Sequence, residues 1–252
     1  MTLPKTPSFR LDGRRALVAG GSRGIGLGAA VALAEAGGEV VITARGEKGL
    51  TEATEAMRAE GHNVSGAVLD ITDLEAQEAF LAAQAPFDVM VNSAGTARHA
   101  AALDMTAEDY DAVTNTNTRA AFFLARNVAR GMAGTGGSII MMSSQMGHVG
   151  GPDRSVYCAT KHAVEGMTKS MAIEWGPQNI RVNTICPTFI RTPLTAPTFA
   201  DPEKLAWIQS KIKLPRTGEI SDIMGAVVFL ATDASSLVTG TSILVDGGWT
   251  AG

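Results

Sequence analysis

From residue 14 nearly to its end, the chain alternates short apolar runs with longer stretches of helical periodicity, and few folds accommodate that rhythm. The runs "RALVAG", "EVVITA", "NVSGAVLD", "FDVMVN", "GSIIMMS", "IRVNTIC" and "SILVDG" have strand length. Several lack period-two alternation, as strands buried on both faces do. Residues 24–36, 47–60, 73–84, 107–132, 155–175 and 221–231 separate them. These stretches are rich in Ala, Leu, Glu and Met, with apolar residues at helical spacing. Alternation of this kind predicts βαβ crossovers, hence a single-domain doubly wound α/β fold of the Rossmann-like type. About seven parallel strands and helices on both faces are expected. No linker divides the rhythm, so residues 1–252 read as one domain, with 1–10 as a loosely held arm. The one interruption, residues 187–220, holds five of the ten prolines and an amphipathic piece around Leu205, Trp207, Ile208 and Ile212. Its place after a strand suits a substrate-binding lid.

Composition narrows the function classes. With a formal net charge of −4 and no long Lys/Arg run, the chain lacks the electrostatic footprint of a nucleic-acid binder. Cys158 and Cys186 are far apart and outside any C-x-x-C spacing. The four histidines form no ligand pair, so no catalytic metal is expected. No secretory h-region and no run of about 18 apolar residues occurs. A reduced, cytoplasmic protein without membrane insertion is the expectation.

Two local patterns carry chemistry. The first, "VAGGSRGIG", sets Gly20, Gly24 and Gly26 between the first strand and the first helix. There, glycines let the backbone approach a pyrophosphate, which meets the amides of the helix N-terminus. The second, "SVYCATKHA", places Tyr157 and Lys161 four residues apart on one helix face. A free tyrosine titrates near ~10. A neighbouring ammonium that favours the phenolate lowers such a value by roughly 1 to 3 units, so the pair has two readings: a phenol tuned for proton transfer, or an amphipathic helix with an incidental Tyr and a solvated Lys, which is the reading the pair alone favours.

The spacing Gly-x-x-x-Gly-x-Gly resembles the short-chain dehydrogenase/reductase family, of the classical type, and the remaining motifs follow in that family's order. "VNSAG" at 91–95 is similar to its N-N-A-G element, "NTRAAFF" from Asn117 to its active-site asparagine segment, and "YCATK" to its Y-x-x-x-K. Ser144 stands thirteen residues before the tyrosine, where the family keeps a serine, and "VTGTSILVDGGW" looks like its last strand and turn. Three departures are Ala19 for Thr, Ser93 for the second Asn, and Thr188 after Pro187 where Gly is commoner.

This resemblance implies a ketone or aldehyde interconverted with its alcohol by hydride transfer at the pro-S face of a nicotinamide. Tyr157 would be the proton donor or acceptor. Lys161 would lower the phenol's pKa and hold the nicotinamide ribose, Ser144 would bind the carbonyl oxygen, and Asn117 would hold a water that passes protons to Lys161. The cofactor would meet Gly20, Ser22, Arg23, Gly24, Ile25 and Gly26 at the first turn. Further along it would meet Asp70 and Ile71, then Asn92, Ala94 and Gly95, and finally Pro187, Thr188, Ile190 and Thr192. At the end of the second strand Ala44 replaces the acid that would read a 2′-hydroxyl, and Arg45 follows. With Arg23, it points to NADP(H). A homotetramer is implied too, with the helices carrying Asn117 and Tyr157 packing across one interface and the last strand across another.

Pocket candidates are Gln145, His148, Val149, His99 and Thr188, with Leu194, Phe199 and Trp207 from the lid. Their mixture suits a small carbonyl or alcohol substrate. Other readings are a noncatalytic NADP(H)-binding sensor or scaffold, an NAD-dependent polyol dehydrogenase, and a 3-oxoacyl thioester reductase docking its carrier on Lys204, Lys211, Lys213 and Arg216.

Overall fold

The computed structural model describes residues 1–252. Seven strands form one parallel sheet: β1 (Arg15–Ala19), β2 (Glu39–Ala44), β3 (Val64–Val68), β4 (Val89–Asn92), β5 (Gly137–Met142), β6 (Ile180–Pro187) and β7 (Ser242–Val245). Their order is β3-β2-β1-β4-β5-β6-β7, so the chain turns back at the junction of β1 and β4. In register, Ala16 lies beside Val40 of β2 and Val89 of β4, and Ile139 of β5 beside Val182 of β6.

Successive strand side chains go to opposite faces, and both faces are covered. Ala16 and Val18 join Ala29, Ala30 and Leu33 of α1 (Gly24–Glu35), Leu50 and Met57 of α2 (Glu47–Ala59), and Val227 and Leu230 of α9 (Ser221–Ala231). Leu17 and Ala19 join Leu124 and Val128 of α5 (Ala121–Met132) and Val164 and Met171 of α6 (Ser155–Trp175). This two-sided burial is why the strands read as uninterrupted apolar runs.

Helix starts follow their caps. Asp73 accepts from Ala76 N at 3.0 Å ahead of α3 (Leu74–Ala82), and Thr106 accepts from Asp109 N at 3.1 Å ahead of α4 (Ala107–Thr114). Residues 107–132 are not the one helix expected. Between α4 and α5 the backbone widens into a π-wound segment, Asn115–Ala120. Thr114 and Thr116 hydroxyls there bond back to the Tyr110 and Ala112 carbonyls at 2.8 and 3.0 Å, competing with the helical ladder.

Within 187–220 lie a short turn of helix, α7 (Ala196–Phe199), and α8 (Pro202–Lys211), whose Ile208 is wholly buried. A bridge between Ile190 and Gly218 ties the two ends of this excursion together. Residues 1–10 are exposed and belong to no helix or strand.

Candidate active site

Where the sheet order reverses, the turns after β1 and β4 touch. Gly20 has φ +78°, and a Cβ on it would stand 2.8 Å from Ala94 N, so the two turns pack backbone against backbone. At the start of α1 a side chain on Gly26 would overlap the Gly20 carbonyl oxygen. Arg23 occupies the position before α1 without capping it by its side chain, which leaves the first amides of the helix to face outward. Ser22 and Ile25 flank it, and Thr192 packs 3.5 Å from the Cβ position of Gly24. Such a cradle, with uncapped amides and no room for side chains, fits the pyrophosphate of a dinucleotide.

Arg45, one residue past β2, and Arg23 are both exposed, and neither has an acidic partner. Asp70, past the end of β3, accepts from the Thr72 amide and hydroxyl at 2.9 and 2.8 Å, so it supports its own turn. Ile71 beside it is core. Asn92 Oδ1 receives the Ala94 amide at 3.2 Å. At the end of β6, Thr188 Oγ1 is buried without a hydrogen-bond partner, as is Gln145 Oε1. Two such polar atoms leave hydrogen-bonding capacity open to a ligand.

The structure gathers the four residues named as catalytic. Tyr157 lies in the first turn of α6 and Lys161 one turn on, with Nζ 5.6 Å from the tyrosine ring centroid. Lys161 Nζ donates to the Met142 carbonyl at 2.9 Å. Asn117 sits in the π-wound segment, buried, and grips residue 96. Its Oδ1 accepts from Thr96 N at 2.8 Å, and its Nδ2 donates to Thr96 O at 2.9 Å and to Thr160 Oγ1 at 3.2 Å. The side chain thus fastens the loop after β4 to α6. Ser144 Oγ accepts from Met146 N at 3.1 Å.

One expectation is corrected. Burial pushes the Tyr157 phenol above its ordinary value, and what pulls it back is the Ser144 hydroxyl and the Arg154 charge rather than Lys161. The lysine is disfavoured in turn: burial lowers it from 10.5 to about 8. Enclosing both groups sets each titration more strongly than their mutual attraction does.

His148, expected in the substrate pocket, is directed elsewhere. Its Nε2 lies 3.4 Å from Cys186 Sγ and 3.7 Å from Glu165 Oε2. Glu165 is buried, accepts from Thr184 at 3.1 Å, Cys186 at 3.2 Å and Ser242, and is held below the usual carboxylate range by these bonds against its own burial. The three ligating atoms lie within 4.8 Å of one another, a cluster that sequence spacing did not reveal. His99 is the histidine that meets the phenol, edge to face at 5.8 Å between centroids. From the lid, Leu194 is 71% exposed and Phe199 packs under the Arg191 guanidinium at 4.6 Å. Trp207 joins Phe189 and Trp249 in an aromatic cluster, at 6.2 Å from the first and 5.1 Å from the second. Arg154 lies over Phe189 at 5.5 Å. Sequence reasoning missed Phe189, Trp249 and Arg154. Only Arg154 had a visible signal, three residues before Tyr157.

Such a fold and site define a dinucleotide-binding α/β protein whose phenol and ammonium flank the cleft. A sequence profile described as "Enoyl-(Acyl carrier protein) reductase" matches residues 19–250. Gluconate 5-dehydrogenase of Gluconobacter oxydans is 39% identical over 96% of this chain and 96% of its own. L-xylulose reductase of Bos taurus is 38% identical over 96% and 99%. Among solved structures, a gluconate 5-dehydrogenase from Burkholderia cenocepacia in complex with NADP and tartrate superposes with a TM-score of 0.94. It shares 35% identity over 98% of this chain and 99% of that one. The chain belongs to the short-chain dehydrogenase/reductase family, as an oxidoreductase that binds NAD(P).

Proposed function

We propose that the protein is an NADP(H)-dependent oxidoreductase that interconverts a ketone and a secondary alcohol on a sugar or sugar-derived substrate. The observation that carries the reading is the gathering of Tyr157, Lys161 and Ser144, with the ammonium 5.6 Å from the tyrosine ring and the serine hydroxyl beside the phenol. Relatives named for gluconate and xylulose support the substrate class.

When bound, the nicotinamide supplies or accepts the hydride. The protein supplies position and a proton. A phenol kept neutral by burial is a donor at neutral pH, and Tyr157 gives its proton to the carbonyl oxygen in reduction and recovers it in oxidation. Ser144 donates to the same oxygen and stabilises the charge that develops there. Lys161, fixed on the Met142 carbonyl, holds positive charge beside the phenol. Asn117 fixes the β4 loop against α6 and so sets the distance between cradle and phenol. Arg45 and Arg23, both without carboxylates, favour a 2′-phosphate over a bare hydroxyl.

The thioester reading loses support. On the lid, Lys204 pairs with Asp201 at 3.2 Å and Arg216 with Asp222 at 2.6 Å, which neutralises half of the proposed docking patch. Both cysteines are free, in keeping with a reducing compartment such as the cytoplasm, and no helix is long and apolar enough to cross a membrane. Assembly as a homotetramer fits the apolar side chains left exposed on α4, α5, α6 and β7.

The test is turnover of a panel of ketoses and keto acids with NADPH and with NADH, followed by loss of the reduced-nicotinamide absorbance. Reduction with NADPH preferred is expected, and Tyr157→Phe should bind NADPH normally while losing about 10²- to 10⁴-fold in turnover. Binding without turnover on any carbonyl would instead make the protein a sensor or scaffold.

A further inference from the structure

Arg154 is a charged group near the phenol that forms no ion pair, although Asp153 is its neighbour in the chain. It occupies the N-cap position of α6, three residues before Tyr157, and is partly buried. Its Nη1 donates to the Pro152 carbonyl at 3.0 Å, and no other hydrogen bond or ion pair engages the guanidinium. The stem packs near Gly151, and the head lies 5.5 Å from the Phe189 ring centroid. Phe189 in turn contacts Trp207 of α8 and Trp249. The guanidinium therefore lies against Phe189 of the aromatic cluster and within electrostatic reach of the phenol. Burial lowers its pKa, and its charge is felt by both Tyr157 and His99. Burial of this arginine costs desolvation that no ion pair offsets, although Cys158, Tyr157 and Asp153 favour its charge from a distance.

We infer that Arg154 is a specificity-determining residue that binds a carboxylate of the substrate, so that the preferred substrate is a keto acid or hydroxy acid rather than a neutral sugar. The inference rests on the reading of the site as a sugar oxidoreductase, and it decides the charge class that reading leaves open.

Three features select a carboxylate. With Nη1 on Pro152, the free Nε and Nη2 edge offers two parallel N–H donors, which match the two oxygens of a planar carboxylate. One guanidinium stands at this end of the site, while Lys161 is bonded to the Met142 carbonyl and His99 is lowered by burial and by Arg154 against the opposing charge of Asp153. A phosphate dianion would call for more cations than that. Finally, the Phe189 ring 5.5 Å from the guanidinium and the aromatic cluster beyond it give that side an apolar lining, which strengthens a charge-assisted pair.

The experiment compares 5-keto-D-gluconate with L-sorbose, which differ only in carrying a carboxylate or a hydroxymethyl group at one end, and with L-sorbose 6-phosphate. Each is reduced with NADPH by the wild-type protein, Arg154→Gln and Arg154→Lys. The wild type should favour the keto acid in kcat/KM by on the order of 10- to 100-fold, the worth of a hydrogen-bonded charge pair. In Arg154→Gln that ratio should collapse toward one, chiefly through KM for the acid, and Arg154→Lys should restore part of it. Unchanged NADPH affinity and melting temperature would show that the variants fold. Equal turnover of acid and neutral sugar by the wild type would overturn the inference alone. So would an equal loss on both substrates in Arg154→Gln, or a preference for the phosphate. No turnover of any of the three would overturn the underlying reading with it.

Discussion

The Lys161 ammonium sits where its own charge is disfavoured, and the sign of that effect makes a prediction. Burial lowers its pKa from 10.5 to about 8, against the partial support of Glu165. Between those two values the unfolded chain binds a proton that the folded chain has released. Stability therefore rises with pH through that window, and below about 8 the full cost of holding the charged lysine is present. Activity runs the other way. Reduction needs a proton delivered beside a positive charge, so kcat/KM for carbonyl reduction should fall as pH rises through about 8, while the oxidative direction gains. Burial pushes the Tyr157 phenol up, away from this window. A rate profile flat from about pH 7 to 9.5 would separate Lys161 from the chemistry. At this scale the sequence showed which residues meet but not what enclosure does to them. The i, i+4 spacing gives proximity, whereas desolvation depends on Met142, Asn117 and the β4 loop, which arrive from elsewhere in the chain.

Among the elements, the strands and α6 were legible because their signals are local. An apolar run covered on both faces needs no partner to be read, the Tyr157–Lys161 juxtaposition follows from helical spacing, and Ser144 was named only through the family resemblance. The break between α4 and α5 was not legible: it depends on threonines bonding back to carbonyls and on Asn117 reaching Thr96, a tertiary contact. The cluster of Phe189, Trp207 and Trp249 joins two distant segments and left no pattern. The turn from β1 into α1 was legible, and its glycines differ in what they tolerate. On Gly26 a methyl group would overlap the Gly20 carbonyl, and both atoms are backbone, so neither yields. Gly26→Ala should lower the melting temperature by roughly 2 to 10 °C, the effect of overpacking by about 1 to 3 kcal/mol, and should weaken NADPH binding with it. Gly49 in α2 has nothing within 4 Å of its Cβ position. Gly49→Ala should stabilise by about 0.5 to 1 kcal/mol and leave binding alone. If the two variants melt alike, close packing in the cradle is not what Gly26 provides.

For the whole molecule, the sheet ends on two edges that differ in what lies beside them. Edge strands expose unpaired amides and carbonyls, and proteins protect them by charge, by cover or by pairing with another copy. Next to β7, Leu244 is 43% exposed and Leu214 57% exposed, and the C-terminal turn packs there through Asp246, which accepts from the Gly248 and Thr250 amides at 2.9 Å. A second apolar surface lies on the helices, with Tyr110 of α4, Phe122 of α5 and Ile173 of α6 all exposed. Two separate self-complementary surfaces on one chain build a tetramer of D₂ type, since each two-fold interface makes a dimer and the pair closes. If β7 forms one of them, a charge on its exposed face should split the assembly without unfolding it. Leu244→Lys should sediment at half the wild-type mass, as a dimer held by the helical surface. Val68→Lys, at an exposed position on the opposite edge strand β3, should leave the tetramer intact. Because Trp249 of the lid cluster follows β7 directly, the split should also raise KM for substrate more than it raises the Kd for NADPH. A wild-type protein that sediments at the single-chain mass of 26.1 kDa would defeat the tetramer. A Leu244→Lys variant that stays tetrameric would move the interface off β7.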